Sequence, residues 1–509
     1  MTGELAGTAA DGVLRDQLAA YRHLRTALEK ALLPLASSLD GVTFEFQASL
    51  VDLPYRVGGY VVLETSTGGR LGQVVTLEMS TYDAATELAP GAGTDVTIRY
   101  ARGTGTVLQA DGVAFHDATV RPATPEEVAP WAAARVPAER AGLVIGEYVL
   151  APGVPATLDS GGLTRHTFVC GQSGSGKTYS LGLLLERVLG ETGLRVVVLD
   201  PNSDYVGLGS LLEHADPGLA SRYSHVSGEV AVWSDTDAAE RRLRLGFAEL
   251  DAATQAAVLG LDPIVDREEY AELVDLVRAQ RDGTSVLTAP EQLLTADSPM
   301  SRRLGQRAVN LGVLGWRVWG RGEPSLLSAL RSHESRCTVV DLGSLATVGE
   351  QRLVAQAVLA TLWDLKAQRV PCLLVVDEAH NILPAHSGDP LTRLSADRAV
   401  QIAAEGRKYG LYLLCSTQQP HKVHENVVSQ CDNLVLMRMN SRADIADLAR
   451  FFSFVPEGLV SRATTFGMGQ ALVAGRILPE PGFVRMGRRI THEGGTDVPA
   501  GWAAPRPPA

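Results

Sequence analysis

Cysteine, aromatic residues and long apolar runs are all scarce in this chain. Five cysteines are spread over 509 residues, at positions 170, 337, 372, 415 and 431. They show no metal-ligand spacing. Most lie in apolar, strand-like runs, where buried free thiols are common. A reduced, cytoplasmic compartment is the expectation. No run reaches the roughly 18 apolar residues that a membrane helix needs, so no membrane association is expected. The first residues, MTGELAGTAADG, lack the basic region and apolar core of a signal peptide. Positive charge is also short. The net charge of −12 argues against a protein that coats nucleic acid over its whole surface. It leaves a local basic channel open, because the field at the contact surface decides. No repeat of fixed period is present.

What is there belongs to a soluble globular protein, with 45% apolar and 20% charged residues. A chain this long exceeds a single core, so about two to four domains are expected. In residues 1–40, Leu14, Leu18, Tyr21, Leu24, Leu28 and Leu32 recur every three or four positions. They form one apolar helical stripe. Docking on its own domain and contact with a neighbouring subunit both fit it. Between 41 and 125 the period changes. Phe44–Gln47, Tyr60–Leu63, Gln73–Leu77, Val96–Tyr100 and Gly105–Leu108 are short β-rich runs punctuated by glycines. They predict a small β-barrel or sandwich. The Ala- and Pro-rich stretch Pro122–Pro137 reads as a linker.

From about residue 143 the pattern is α/β. Arg195–Asp200 is a continuous apolar strand ending in a carboxylate, typical of burial on both faces. Further strands are expected at Thr338–Leu342, Cys372–Val376, Leu411–Ser416 and Asn433–Arg438, with a helix over Glu350–Lys366. Residues 237–335 carry helical patterns and few β signals, and read as a helical insertion. The Pro- and Gly-rich tail, residues 491–509, is expected to be disordered.

Residues 166–178 carry the first chemistry. The run Phe168-Val169-Cys170 leads into Gly171-Gln172-Ser173-Gly174-Ser175-Gly176-Lys177-Thr178-Tyr179, all candidates for nucleotide binding, and an apolar helical pattern follows at Leu181, Leu183, Leu184, Leu185, Val188 and Leu189. The residues match G-x-x-x-x-G-K-[ST] in its strand–loop–helix context. Glycines let the backbone curl so that N–H groups surround phosphate oxygens. The helix N-terminus adds partial positive charge. Lys177 can reach the β- and γ-phosphates of ATP, and the Thr178 hydroxyl can ligate Mg²⁺. A second carrier is Leu373-Leu374-Val375-Val376-Asp377-Glu378, an apolar strand ending in two acids. Asp377 can hold Mg²⁺ directly or through its water shell, and Glu378 can polarise a water for in-line attack. The added Glu favours hydrolysis over transfer to another acceptor. Third, Leu413–Gln419 ends a strand in hydroxyls and amides. Gln418 can sense the γ-phosphate there, or be a solvated turn residue. Just before it, Arg407 in Glu405-Gly406-Arg407-Lys408-Tyr409-Gly410 can neutralise transition-state charge, or simply complement a helix end.

Taken together, RHTFVCGQSGSGKT, DPNSDY, LLVVDEAHNILP, EGRKYGLYLLCSTQQP and VVSQCDNLVLMRM resemble the HerA-type ATPases of the HerA/FtsK group, in order and approximate spacing over about residues 143–490. The resemblance implies a RecA-like P-loop core over 143–490 with its insertion at about 237–335, and a small β-barrel over 41–135. It also implies a homo-hexameric ring, ATP-driven movement along double-stranded DNA, and work beside a nuclease or other effector in end processing or phage defence. By position, Arg407 resembles the arginine that completes a neighbouring site, and Arg165 a second arginine near the nucleotide. Gln418 resembles the γ-phosphate sensor. Asp200 resembles the acid of the family's D-P-H-G-E-Y segment, which here reads Asp200-Pro201-Asn202-Ser203-Asp204-Tyr205. A nucleotide-gated scaffold that assembles an enzyme partner without processive translocation is the alternative. The stretch Arg302, Arg303, Arg307, Arg317 and Arg321, with Trp316 and Trp319 between, could grip a backbone or be a solvated basic helix face.

Overall fold

The computed structural model describes residues 4–66, 68–89, 92–282, 289–320 and 324–495. Arg321 and the tail beyond 495, for which sequence expectations were stated, lie outside those residues. The chain divides into two units. One comprises residues 1–134, 147–155 and 456–462, and the other 135–146, 156–455 and 463–509.

The smaller unit begins with helix α1 (Glu4–Lys30), which ends ten residues before the expected boundary. Its stripe is only half-buried at Tyr21, Leu24 and Leu28, and Leu18 is exposed. The Glu29 carboxylate accepts the Arg99 N–H at 3.4 Å, on β5 of the same unit. Six strands follow: β1 (Leu35–Ser38), β2 (Thr43–Ser49), β3 (Tyr60–Thr65), β4 (Gly68–Ala89), β5 (Ala92–Val107) and β6 (Phe115–Pro122). Each is antiparallel to its neighbours. Because β1 pairs with both β2 and β6, the order β1-β2-β5-β4-β3-β6 closes into a barrel. Alternation decides what goes inside. Phe44, Phe46 and Ala48 on β2 are buried while Thr43, Glu45 and Gln47 are exposed. They meet Leu63, Val74, Val107 and Val120 in one core. The two runs Val96–Tyr100 and Gly105–Leu108 belong to a single long strand, β5. The glycines between them do not break it. The stretch expected as a linker contains helix α2 (Pro125–Ala133). Thr124-Pro125-Glu126-Glu127 is a helix start: the proline sits in the first turn, and the Thr124 N–H donates to Glu127 Oε2 at 2.9 Å. Trp131 of α2 packs against Tyr60 and Tyr148, with ring centroids 5.6 and 6.1 Å away.

The larger unit is built on a twelve-stranded sheet. Its strands are β7 (Gly142–Tyr148), β8 (Pro155–Asp159), β9 (His166–Cys170), β10 (Arg195–Asp200), β11 (Val230–Ser234), β12 (Arg241–Arg242), β13 (Cys337–Asp341), β14 (Cys372–Val376), β15 (Leu411–Thr417), β16 (Cys431–Met437), β17 (Gln470–Gly475) and β18 (Leu478–Met486). The spatial order is β12-β11-β13-β10-β14-β15-β9-β16-β17-β18-β7-β8. From β11 to β16 all neighbours are parallel. Every residue of β9, β10, β13 and β14 is buried, which explains their continuous apolar runs. Helix α3 (Lys177–Glu191) follows β9, and the largely buried helix Val348–Asp364 precedes β14. The insertion contains helices Ala252–Val258, Arg267–Arg281, Pro299–Asn310 and Leu326–Ser332.

Candidate functional site

Parallel strands present their carboxyl ends along one edge, and in open α/β sheets ligands bind there. β9, β14 and β15 are neighbours, so the loops after Cys170, Val376 and Thr417 converge. The first curls as expected. Gly174 and Gly176 adopt φ of 71° and 89°, a region that only glycine enters cheaply. The loop is braced from β16. The Gln172 N–H donates to Arg438 O at 2.9 Å, Arg438 Nη2 donates to Gly174 O at 3.3 Å, and the Asn440 N–H donates to Gln172 Oε1 at 3.1 Å. The loop opens on a cavity of about 670 Å³. Gln172, Ser173, Gly174, Gly176, Lys177, Thr178 and Tyr179 line it, with Asp204 and Gln418 among the other walls.

Lys177 is the pivot. Its Nζ lies 2.9 Å from Asp377 Oδ1, 3.1 Å from Glu378 Oε1 and 3.0 Å from Ser416 Oγ. The three charged side chains are exposed by only 4%, 0% and 6%. Burial alone would lower the ammonium's pKa, but the two carboxylates outweigh it and push it up. Glu378 has φ of +43°, a strained value for a non-glycine residue. Gln418 Nε2 donates to Glu378 Oε1 at 2.7 Å, and His380 Nδ1 lies 3.2 Å from Glu378 Oε2 and 3.1 Å from Thr417 Oγ1. Burial lowers the pKa of His380. Asp377 is held by three contacts: the Lys177 ammonium, the Glu378 N–H at 2.9 Å and the Tyr205 hydroxyl at 3.1 Å.

Asp200 departs from expectation. It does not line the cavity. Its fully buried carboxylate accepts the N–H groups of Asn202, Asp204 and Tyr205 at 3.3, 3.0 and 2.8 Å, and so shapes the loop after β10. Burial pushes its pKa up to about 7. From that loop it is Asp204 that reaches the cavity, its pKa raised to about 6 by burial first and Asp377 second.

Arg165 and Arg407 lie away from this cavity. They precede β9 and β15, so they sit at the amino ends of those strands. A five-residue strand puts them about 16 Å from their own P-loop. Both face Asp432, at 3.6 and 3.0 Å. Neither can touch the nucleotide of its own chain. Parts of the basic stretch are paired within the chain, while Arg303 is exposed. Arg307 pairs with Asp266 at 2.7 Å and Arg317 with Asp235 at 3.1 Å. Arg302 caps the carbonyls of Ala296 and Asp297. Trp319 is buried and stacks on Trp316.

Sequence reasoning missed Ser416, Tyr205, His380 and Arg438. All four lie inside the quoted motifs, and a polar residue at or just after a strand end was the only signal. Arg438 follows β16, whose adjacency to β9 is a matter of topology.

Residues 143–305 match the family model described as "Helicase HerA, central domain". The DNA double-strand break repair helicase HerA of Pyrococcus furiosus is 22% identical over 395 residues, 68% of this chain and 69% of that protein. Its counterpart in Sulfurisphaera tokodaii is 30% identical over 129 residues, a quarter of each chain. Among solved structures, VirB4 of Thermoanaerobacter pseudethanolicus aligns with a TM-score of 0.49 at 17% identity, covering 69% of this chain and 97% of that one. With the P-loop lysine, the paired acids and the match to the HerA central domain in one chain, the protein is an ATP-hydrolysing P-loop enzyme similar to the HerA helicases.

Proposed function

We propose that the protein is a ring-forming ATPase that moves along double-stranded DNA, with a nuclease or other effector as its partner in DNA end processing or phage defence. One observation carries the reading. Lys177 sits between Asp377, Glu378 and Ser416 at the floor of a cavity lined by the P-loop. An ATP triphosphate would replace the carboxylates as the lysine's partner. Its γ-phosphate would lie beside Gln418, and Glu378, released from Lys177, would polarise the attacking water.

Magnesium fits the residues present. Thr178 and Asp377 offer a hydroxyl and a carboxylate, hard oxygen donors suited to Mg²⁺. Among the described residues no cluster of three or more His, Cys, Asp or Glu could hold a metal. That suits an ion that keeps waters and takes its other ligands from phosphates. The ion would neutralise charge on the phosphates. Tyr205, through its 3.1 Å hydrogen bond, would fix the Asp377 carboxylate.

Arg407 would serve the site of an adjacent subunit, because its place at the amino end of β15 bars it from its own. Asp432 would steady it, with Arg165 alongside. Duplex DNA should raise ATP turnover several-fold at low salt, and the gain should fade as salt rises. A turnover indifferent to DNA with and without the partner would leave the scaffold reading. One observation favours that alternative: Arg307 of the expected basic stretch is already ion-paired with Asp266 of this chain.

A further inference from the structure

The site described above accounts for the phosphates but not for the rest of a nucleotide. Seen from β9, the acids and Gln418 lie on the side of β15 and β14. On the other side stand β16, β17 and β18. The cavity walls on that side are Met468, Gly469 and Met486, with Tyr179 from the first turn of α3. Met468 is 77% exposed. It is not adrift. The next residue, Gly469, donates its N–H to Ser175 O at 2.9 Å and accepts the Met486 N–H at 2.8 Å. The turn is therefore fastened to the P-loop on one side and to the end of β18 on the other. Tyr179 is fixed as well: its hydroxyl accepts the Arg489 N–H at 2.8 Å.

We propose that Met468, Met486 and Tyr179 form the nucleobase subsite, packing against the faces of the base. This rests on the ATP-site reading above. A triphosphate seated on Lys177 with its γ end toward Gln418 must point its nucleoside away from the acids, into this half of the cavity. Thioethers are polarisable and make favourable contacts with aromatic rings. Both backbone groups of Gly469 are already spent on Ser175 and Met486, so the two thioethers and the Tyr179 ring are what this turn offers a base; Glu493 and Gly495 also line the cavity.

The test is equilibrium binding of ATP, GTP and inorganic tripolyphosphate to the full chain and to Met468→Ser and Met468→Leu. The exposure of Met468 makes both variants safe for folding. Met468→Ser should lose about three- to tenfold for both nucleotides, the equivalent of the apolar cover removed from the base, while tripolyphosphate binding stays unchanged. Met468→Leu should stay near wild type. Unchanged ATP binding in Met468→Ser, or an equal loss for tripolyphosphate, would overturn the base contact. Wild type that binds neither the nucleotides nor tripolyphosphate would instead sink the ATP-site reading itself.

Discussion

Replacing Lys177 should unsettle the protein before any nucleotide is added. In the empty site the lysine is the cation for two buried carboxylates, Asp377 and Glu378, at 2.9 and 3.1 Å. Lys177→Met keeps the aliphatic stem and removes the charge. Breaking a buried pair by deleting one partner costs about 3–5 kcal/mol, because the other charge is left uncompensated. Spread over the unfolding entropy of a unit of roughly 350 residues, that lowers Tm by about 4–7 °C. Adding Asp377→Asn and Glu378→Gln to Lys177→Met should recover much of the loss. Thermal unfolding without nucleotide, followed by circular dichroism, reads both effects. If Lys177→Met melted with wild type at neutral pH, the lysine would not be the electrostatic keystone of the empty site.

Tyr205→Phe should lower kcat several-fold with little change in KM, because the hydroxyl orients Asp377 and lies outside the cavity lining; steady-state kinetics separates the two. Arg407→Ala and Glu378→Gln should each be nearly inactive, yet mixtures allowed to exchange subunits should regain turnover at interfaces that pair an intact Glu378 with an intact Arg407. An arginine in this role is worth about 10³–10⁵ in rate, and mixtures that stay dead despite confirmed exchange would refute action across subunits. His166 is fully buried between Ala403 O and the Leu413 N–H, and burial lowers its pKa to about 4. The unfolded chain then binds more protons between about pH 4 and 6.5, so this contribution to stability is lost as pH falls through that window. His166→Gln should flatten the acid limb of the stability profile measured by denaturant titration.

Much of the catalytic core was legible because its chemistry is local. Gly171–Thr178 and Asp377-Glu378 announce themselves in consecutive residues, and β14 coincides with its apolar run Cys372–Val376. What stayed hidden depends on neighbours distant in sequence. The brace from Arg438 exists only because β16 lies beside β9. Asp200 reads as a site acid until its carboxylate is seen turned onto its own loop. Alanines and prolines masked α2, although Thr124, Pro125 and Glu127 spell out its start. The arginines around Trp316 looked available because Asp235 and Asp266 lie far away in sequence. Barrel strand β6 and the pair β17–β18 carry weak alternation, and partner strands rather than intrinsic pattern settle them.

Displacement of a third strand from a linear duplex tests directly whether ATP hydrolysis drives movement along DNA. A triplex-forming oligonucleotide placed away from the end should be released by wild type with ATP and Mg²⁺. Release should fail with Glu378→Gln, which retains the lysine and the P-loop but loses the carboxylate at the attacking water. Wild type that hydrolyses ATP yet never displaces the oligonucleotide, with its partner present or absent, would contradict the motor and leave a nucleotide-gated scaffold in its place.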